Sequence, residues 1–237
     1  MTRLSLYTRQ YQPFLYWLIL ASFALFLFSG CLRPPQSLSE DPNAPSPSQE
    51  WVKQGVLKSQ QGNYHNAIAD FDQAIAESPD NIDAYYNRAF AYIQLGRWEI
   101  ALADLTETLR LAPSWEVARV NRGNVYLELG QYDSAMADYK QALESDPNNA
   151  LAHHNLALVL WKLGNTQQAL TEFEQAIMIA PDYAQAYLNR GLLHAEESKT
   201  QEALIDLEQA GQLFQAQGDK EAYQEVQAQT RKLRQNN

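Results

Sequence analysis

The sequence predicts an all-α solenoid, a row of helical hairpins stacked side by side in place of one globular core. Two observations predict it. Pro79, Pro113, Pro147 and Pro181 recur at a spacing of 34 residues, and Gly62, Gly96, Gly130 and Gly164 keep the same beat. So do Ala67, Ala101, Ala135, Ala169 and Ala203, each followed four residues later by Phe71, Leu105, Tyr139, Phe173 or Leu207. A fixed period of this length marks stacked supersecondary units. Such a stack offers a surface that binds more readily than a pocket that reacts.

Each unit justifies its own two helices, and residues 82–115 show how. Ala84, Tyr85, Ala89 and Tyr92 recur at helical spacing, and Leu95-Gly96 ends that helix, because glycine enters the left-handed region without a Cβ clash. A second helix follows from about Glu99 to Leu111, with Ala101, Leu105 and Leu109 on one face. Pro113 stops it, lacking an amide donor and clashing with the preceding turn. Small residues in the first helices (Gly55, Ala89, Gly123, Ala157 and Gly191) let the two helices approach closely.

These rows resemble the tetratricopeptide repeat family: a small residue in helix A, Gly at the turn, Ala early in helix B, then an aromatic or Leu, and Pro at the exit. The resemblance covers five repeats, 48–81, 82–115, 116–149, 150–183 and 184–217. It implies a right-handed superhelix whose A helices line a concave groove. Thr108 departs from the pattern where Ala is usual. In the fifth unit Ser198 replaces Gly and Gln215 replaces Pro, so helix B is expected to run on to about Ala216. Residues 218–237 then read as a capping helix after Gly218-Asp219, with Tyr223, Val226 and Leu233 on its inner side.

The chain before the repeats is different. Residues 1–30 read as a signal peptide or membrane anchor: Arg3 and Arg9 precede a fifteen-residue apolar run from Phe14 to Phe28, in which Ser22 is the polar exception, and Ser29-Gly30 follow. Cys31, the single cysteine, stands directly after them. Ser29-Gly30-Cys31 resembles the lipobox of bacterial lipoproteins, which implies lipidation at Cys31. An uncleaved anchor is the alternative, since the run extends toward spanning length between Tyr11 and Leu32. A third reading is an ordinary buried cysteine. Under either anchored reading, the charge asymmetry puts the repeats on the extracytoplasmic side, in a periplasm or an equivalent compartment. Residues 31–47 are a Pro/Ser-rich tether with Pro34, Pro35, Pro42, Pro45 and Pro47.

Charge narrows the partners. With 18 basic and 28 acidic residues the chain has a formal net charge of −10, so nucleic acid is not an expected partner. Asp70, Asp104, Asp138, Glu172 and Asp206 form one acidic column, read as a solvated outer face or, alternatively, a cation-binding strip. The four histidines, His65, His153, His154 and His194, lack metal-ligand spacing, and no catalytic motif or phosphate loop is present. The expectation is a non-enzyme without metal or cofactor.

That leaves the A-helix face. Asn87, Asn121, Asn155 and Asn189 recur at 34, with Lys53 at the first-unit place. The family resemblance implies that this ladder hydrogen-bonds the backbone of an extended peptide; equally, it ties adjacent hairpins together. Tyr86, Phe90 and Ile93, then Val120, Asn124 and Leu127, then His154, Leu158 and Trp161, and finally Leu188 and Leu192, share the face at i, i+4 and i+7. They are read as groove contacts for a partner, or as surface covered by the next helix or by a second copy. The basic clamp some family members use is not expected, because Val52, Tyr86, Val120, His154 and Leu188 hold its lysine positions. Arg88, Arg122 and Arg190 are expected to reach acids of neighbouring B helices. The function expected is a membrane-tethered scaffold or adaptor holding a protein or peptide segment, a complex-assembly factor by resemblance. The alternatives are a self-associating homo-oligomeric envelope protein and a glycan binder using Trp115 and Tyr183.

Overall fold

The computed structural model describes residues 45–235. Residues 1–44, with Cys31 and the rest of the anchor and most of the tether, lie outside the described residues. Among the described residues there are eleven helices and no strand. They pair as α1 (Pro47–Gln60) with α2 (Tyr64–Glu77), α3 (Ile82–Gln94) with α4 (Trp98–Leu111), and α5 (Glu116–Glu128) with α6 (Tyr132–Ser145). The pairs α7 (Ala150–Lys162) with α8 (Thr166–Ile179) and α9 (Ala184–Glu196) with α10 (Thr200–Ala216) follow. A last helix, α11 (Lys220–Gln235), packs on α10.

Each A-to-B turn closes in the same way. Gly62, Gly96, Gly130 and Gly164 have φ between 67 and 79°, and the next amide bonds back into the helix, as when Gln131 N–H donates to the Tyr126 carbonyl at 2.8 Å. In the fifth hairpin Ser198 takes this conformation at φ 61°, and Lys199 N–H still reaches the His194 carbonyl at 2.9 Å. At the other end, Ser78 turns extended before Pro79, and Ala112, Asp146 and Ala180 likewise leave the helical region before their prolines, as the Pro ring requires of its predecessor. Without a proline, α10 continues unbroken through Gln215 to Ala216.

Within a hairpin, helix A meets helix B through side chains sixteen residues apart. A Cβ placed on Gly55 would lie 2.5 Å from the Phe71 ring, and one on Gly123 2.6 Å from Tyr139, so these rings sit directly on the glycine backbone. Ala89 and Ala157 fill the same place opposite Leu105 and Phe173, and all four are buried.

A second contact sixteen residues long locks the same pair of helices. Arg88 grips Asp104 through Nε and Nη2 at 2.8 and 2.7 Å. Arg122 grips Asp138 at 2.8 Å twice, and Arg190 grips Asp206 at 2.8 and 2.7 Å. The arginines therefore do reach B-helix acids, those of their own hairpin. Lys58 and Asp70 serve the first hairpin at 2.8 Å. In the fourth, Leu156 stands at the arginine position and His153 meets Glu172 instead, at 2.6 Å. This overturns the reading of the acidic column as a solvated outer face: Asp70, Asp104, Asp138 and Asp206 are all buried. A buried carboxylate needs a fork of donors, which B-helix periodicity by itself does not reveal. Donating hydrogen bonds to Asp138 and Asp206 raises the pKa of Arg122 and Arg190.

Successive hairpins meet B to A, and α1 also touches α3, α5 touches α7, and α7 touches α9. Helices that approach their counterparts in the next hairpin lie on the inside of the stack, so the A helices form the inner face. At the C-terminal end α11 buries Val226 and Thr230 and is N-capped by Asp219, whose Oδ1 accepts from Ala222 N–H at 3.0 Å.

The left-handed Ser198 gives a direct test of the turn. Ser198→Gly removes its Cβ penalty and should raise stability by roughly 0.5–1 kcal/mol, glycine's larger unfolded-state entropy offsetting part of the gain. Urea unfolding that shows no change, or a loss, would contradict the turn geometry.

Candidate functional site

The inner face is not uniform, because alternate seams between hairpins are built differently. At the seams after the second and fourth hairpins an aromatic residue ends one repeat and stacks on a ring in its A helix. Trp115 lies 4.5 Å from Tyr86, and Tyr183 lies 4.9 Å from His154, centroid to centroid. The next repeat's asparagine then bonds that ring: Asn121 Nδ2 is 2.9 Å from the Tyr86 hydroxyl, and Asn189 Nδ2 is 2.8 Å from His154 Nε2. At the seams after the first and third hairpins the stacking position holds Asn81 and Asn149, which instead N-cap the following helix by accepting from Ala84 and Ala152 N–H, each at 2.9 Å. Val52 and Val120 replace the rings.

The asparagine row therefore divides. Asn155 and Asn189 are buried, as are His154, Val120 and Leu188. Asn155 donates to Asn124 Oδ1 at 2.8 Å, and Tyr139 donates to the same oxygen at 2.7 Å. These five groove candidates stand in the seams, with no face open to a ligand. The physical reason is the neighbouring hairpin, whose A helix and preceding loop close over them. Asn87 and Asn121 are only half-buried, together with Tyr86, Phe90, Asn124, Leu158, Trp161 and Leu192. Asn87 Nδ2 donates to the carbonyl of Asp83, one turn earlier, at 2.7 Å, which leaves its Oδ1 as an acceptor. Trp161 leans on Phe173 and donates Nε1–H to Glu196 at 2.8 Å. The surface that remains is thus an aromatic and aliphatic strip flanked by two carboxamides. It can take an apolar segment and accept main-chain N–H donors from it.

Trp115 and Tyr183, half-buried and stacked, work as seam pieces, which withdraws them as glycan platforms. Sequence reading missed that role, although the alternation Asn81, Trp115, Asn149, Tyr183 was its signal. Among the described residues no three His, Cys, Asp or Glu side chains gather as a metal site requires, and no helix is long and apolar enough to cross a membrane.

Comparison with known proteins agrees with this geometry. Models of the tetratricopeptide repeat match residues 58–96 and 123–164, 82–115, and 154–220. The chain belongs to the tetratricopeptide repeat family. Solved tetratricopeptide structures share its fold. MamA from Desulfovibrio magneticus RS-1 is 15% identical with a TM-score of 0.65, covering 75% of this chain and 98% of that one. YrrB, described as a TPR protein with an unusual peptide-binding site, is 22% identical with a TM-score of 0.60, covering 75% and 90%. PilF of Pseudomonas aeruginosa is 18% identical with a TM-score of 0.61, covering 78% and 91%. No curated protein matches by sequence.

His154 makes the fourth seam of this tetratricopeptide stack sensitive to acid. Burial lowers its pKa from 6.5 to about 4, and its bond to Asn155 offsets only part of that. The neutral ring, with Nδ1–H toward Asn155 Oδ1 at 3.0 Å and Nε2 accepting from Asn189, is the form that fits. Because the folded pKa lies below the unfolded one, its contribution is full above about pH 6.5. It is lost as pH falls toward 4, by up to roughly 3 kcal/mol. Urea midpoints measured from pH 7 to 4 should show a steeper fall for wild type than for His154→Gln. Parallel curves would contradict this assignment.

Proposed function

We infer that the chain is a non-enzymatic scaffold that holds a segment of a partner protein against the inner face of its repeats, tethered to a membrane through residues 1–30 with the repeats on the extracytoplasmic side. The observation that carries the binding reading is the half-buried strip of Phe90, Leu158, Trp161 and Leu192 beside Asn87 and Asn121. Apolar side chains left partly open on one face favour a partner over solvent, and the carboxamides accept backbone donors without selecting a sequence. The peptide-binding site named for YrrB, a protein of similar fold, supports the same reading here. The tether rests on Arg3, Arg9 and the Ser29-Gly30-Cys31 sequence, with Cys31 as the proposed acylation point. A role in assembling a larger complex is the form of scaffold proposed.

Self-association is the second reading, favoured by the flank of the first hairpin, which no other described residue covers. Leu57 is 49% exposed, whereas its counterparts Ala91, Val125, Val159 and Leu193 are covered by the preceding hairpin and buried. One experiment separates the two. Full-length chain captured from solubilised membranes should retain a distinct protein that an Asn87→Ala, Phe90→Ala, Leu158→Ala variant releases, with Cys31→Ser abolishing fatty-acid incorporation. Retention of the chain itself alone, unaffected by the triple variant, would contradict groove binding and favour self-association.

A further inference from the structure

At the turn end of the first seam, away from the inner face, His65, Ile68, Tyr92, Leu95, Arg97 and Ile100 line a cleft of about 250 Å³. The 34-residue register supplies an internal comparison for it. Where Ile100 stands, 44% exposed, the other hairpins place Asn66, Ser134, Gln168 and Glu202. Where His65 stands, the next two hairpins place Glu99 and Asp133. The equivalents of Arg97 at the two following seams are Gln131 and Asn165. The same architecture thus carries polar or acidic mouths at the second and third seams, and a cation, an imidazole and an exposed branched aliphatic at the first.

Arg97 also differs from the other A-helix and turn arginines. Arg88, Arg122 and Arg190 are bound to aspartates and Arg119 to Gln141 and the Pro113 carbonyl, whereas the exposed Arg97 guanidinium makes no ion pair or hydrogen bond among the described residues. On a chain of net charge −10, a guanidinium without an acidic partner beside apolar side chains is a place prepared for an anion with an apolar body. The two turn amides do not supply that anion's donors. Gly96 N–H is bonded to the Ile93 carbonyl at 3.0 Å and Arg97 N–H to the Tyr92 carbonyl at 2.9 Å. These two amides are therefore not free to form the backbone nest that captures phosphates and terminal carboxylates. Recognition falls to the guanidinium fork, which suits a side-chain carboxylate. The volume is below that of drug-sized and cofactor sites and suits one or two side chains.

We propose that this cleft binds an acidic–aliphatic segment of a partner protein, with a Glu or Asp carboxylate on Arg97 and a neighbouring Leu, Ile or Val against Ile68, Leu95 and Ile100. It shares no residue with the inner-face strip, so it stands or fails separately from the groove reading. The test is fluorescence anisotropy of a labelled acetyl-Gly-Leu-Glu-Leu-Gly-amide peptide with the full-length chain, paired with amide shift mapping. Binding should saturate, move the amides of residues 65–68 and 95–100, and weaken about tenfold with Arg97→Glu or with Gln replacing the peptide's Glu. Ile100→Asn should weaken it roughly fivefold. Both positions are exposed, so the variants should unfold at the wild-type midpoint. Equal affinity for Arg97→Glu and wild type, shifts confined to other hairpins, or no saturation at millimolar peptide would each overturn the proposal.

Discussion

Every hairpin depends on one close approach, that of helix A to helix B at side chains sixteen residues apart. Phe71 and Tyr139 can lie on Gly55 and Gly123 only because those residues have no Cβ. Sinking the helices that deeply into one another also brings the B-helix aspartates under cover, where a free carboxylate would be expensive. The bidentate arginines follow from that burial: Arg88, Arg122 and Arg190 each sit one residue before the small position and reach the acid one residue before the packed Leu or Tyr. Packing and charge are thus two halves of one contact. The fourth hairpin shows the coupling in reverse. With Leu156 in place of arginine, its acid becomes Glu172, longer, half-buried and served by His153.

Stacking hairpins requires a second kind of contact, and here the chain uses two in alternation. Ring on ring at Tyr86–Trp115 and His154–Tyr183 alternates with capping asparagines at Asn81 and Asn149. The effective repeat of the inner face is therefore two hairpins, 68 residues. What a partner can touch varies along the stack in a different way, from the earlier seams to the later ones. His154, Asn155 and Asn189 of the later seams are sealed, while the earlier A helices keep Asn87, Phe90 and Asn121 within reach. Because contacts in such a stack run between nearest neighbours, one seam can loosen, for instance when acid protonates the buried His154, without the first hairpins following.

Much of this was legible in the chain. Period, helix pairing and turn glycines announce themselves because each obeys a local rule: φ above zero, no amide donor at Pro, a small side chain at a crossing. The extension of α10 to Ala216 followed from a missing proline in the same way. The acidic column misled, because helical periodicity shows that five acids share a face and is silent on whether the partner helix brings a guanidinium to it. The asparagine row misled less: tying hairpins and binding peptide were both open, and although Asn121 also ties its hairpin through Tyr86, the structure seals only Asn155 and Asn189. No one-dimensional pattern separates them from Asn87 and Asn121, since the difference is what the next hairpin brings over each side chain.

That difference is measurable directly, through the unfolding free energies of the four single variants Asn87→Ala, Asn121→Ala, Asn155→Ala and Asn189→Ala. Asn155 and Asn189 lie in closed seams where removing one partner leaves buried polar groups unmet, so each should cost roughly 1–3 kcal/mol. Asn87 and Asn121, partly solvated, should cost less than about 1 kcal/mol. Four equal losses, or larger ones at Asn87 and Asn121, would mean that the ladder is a single structural device and that its exposed end is not held open for a partner.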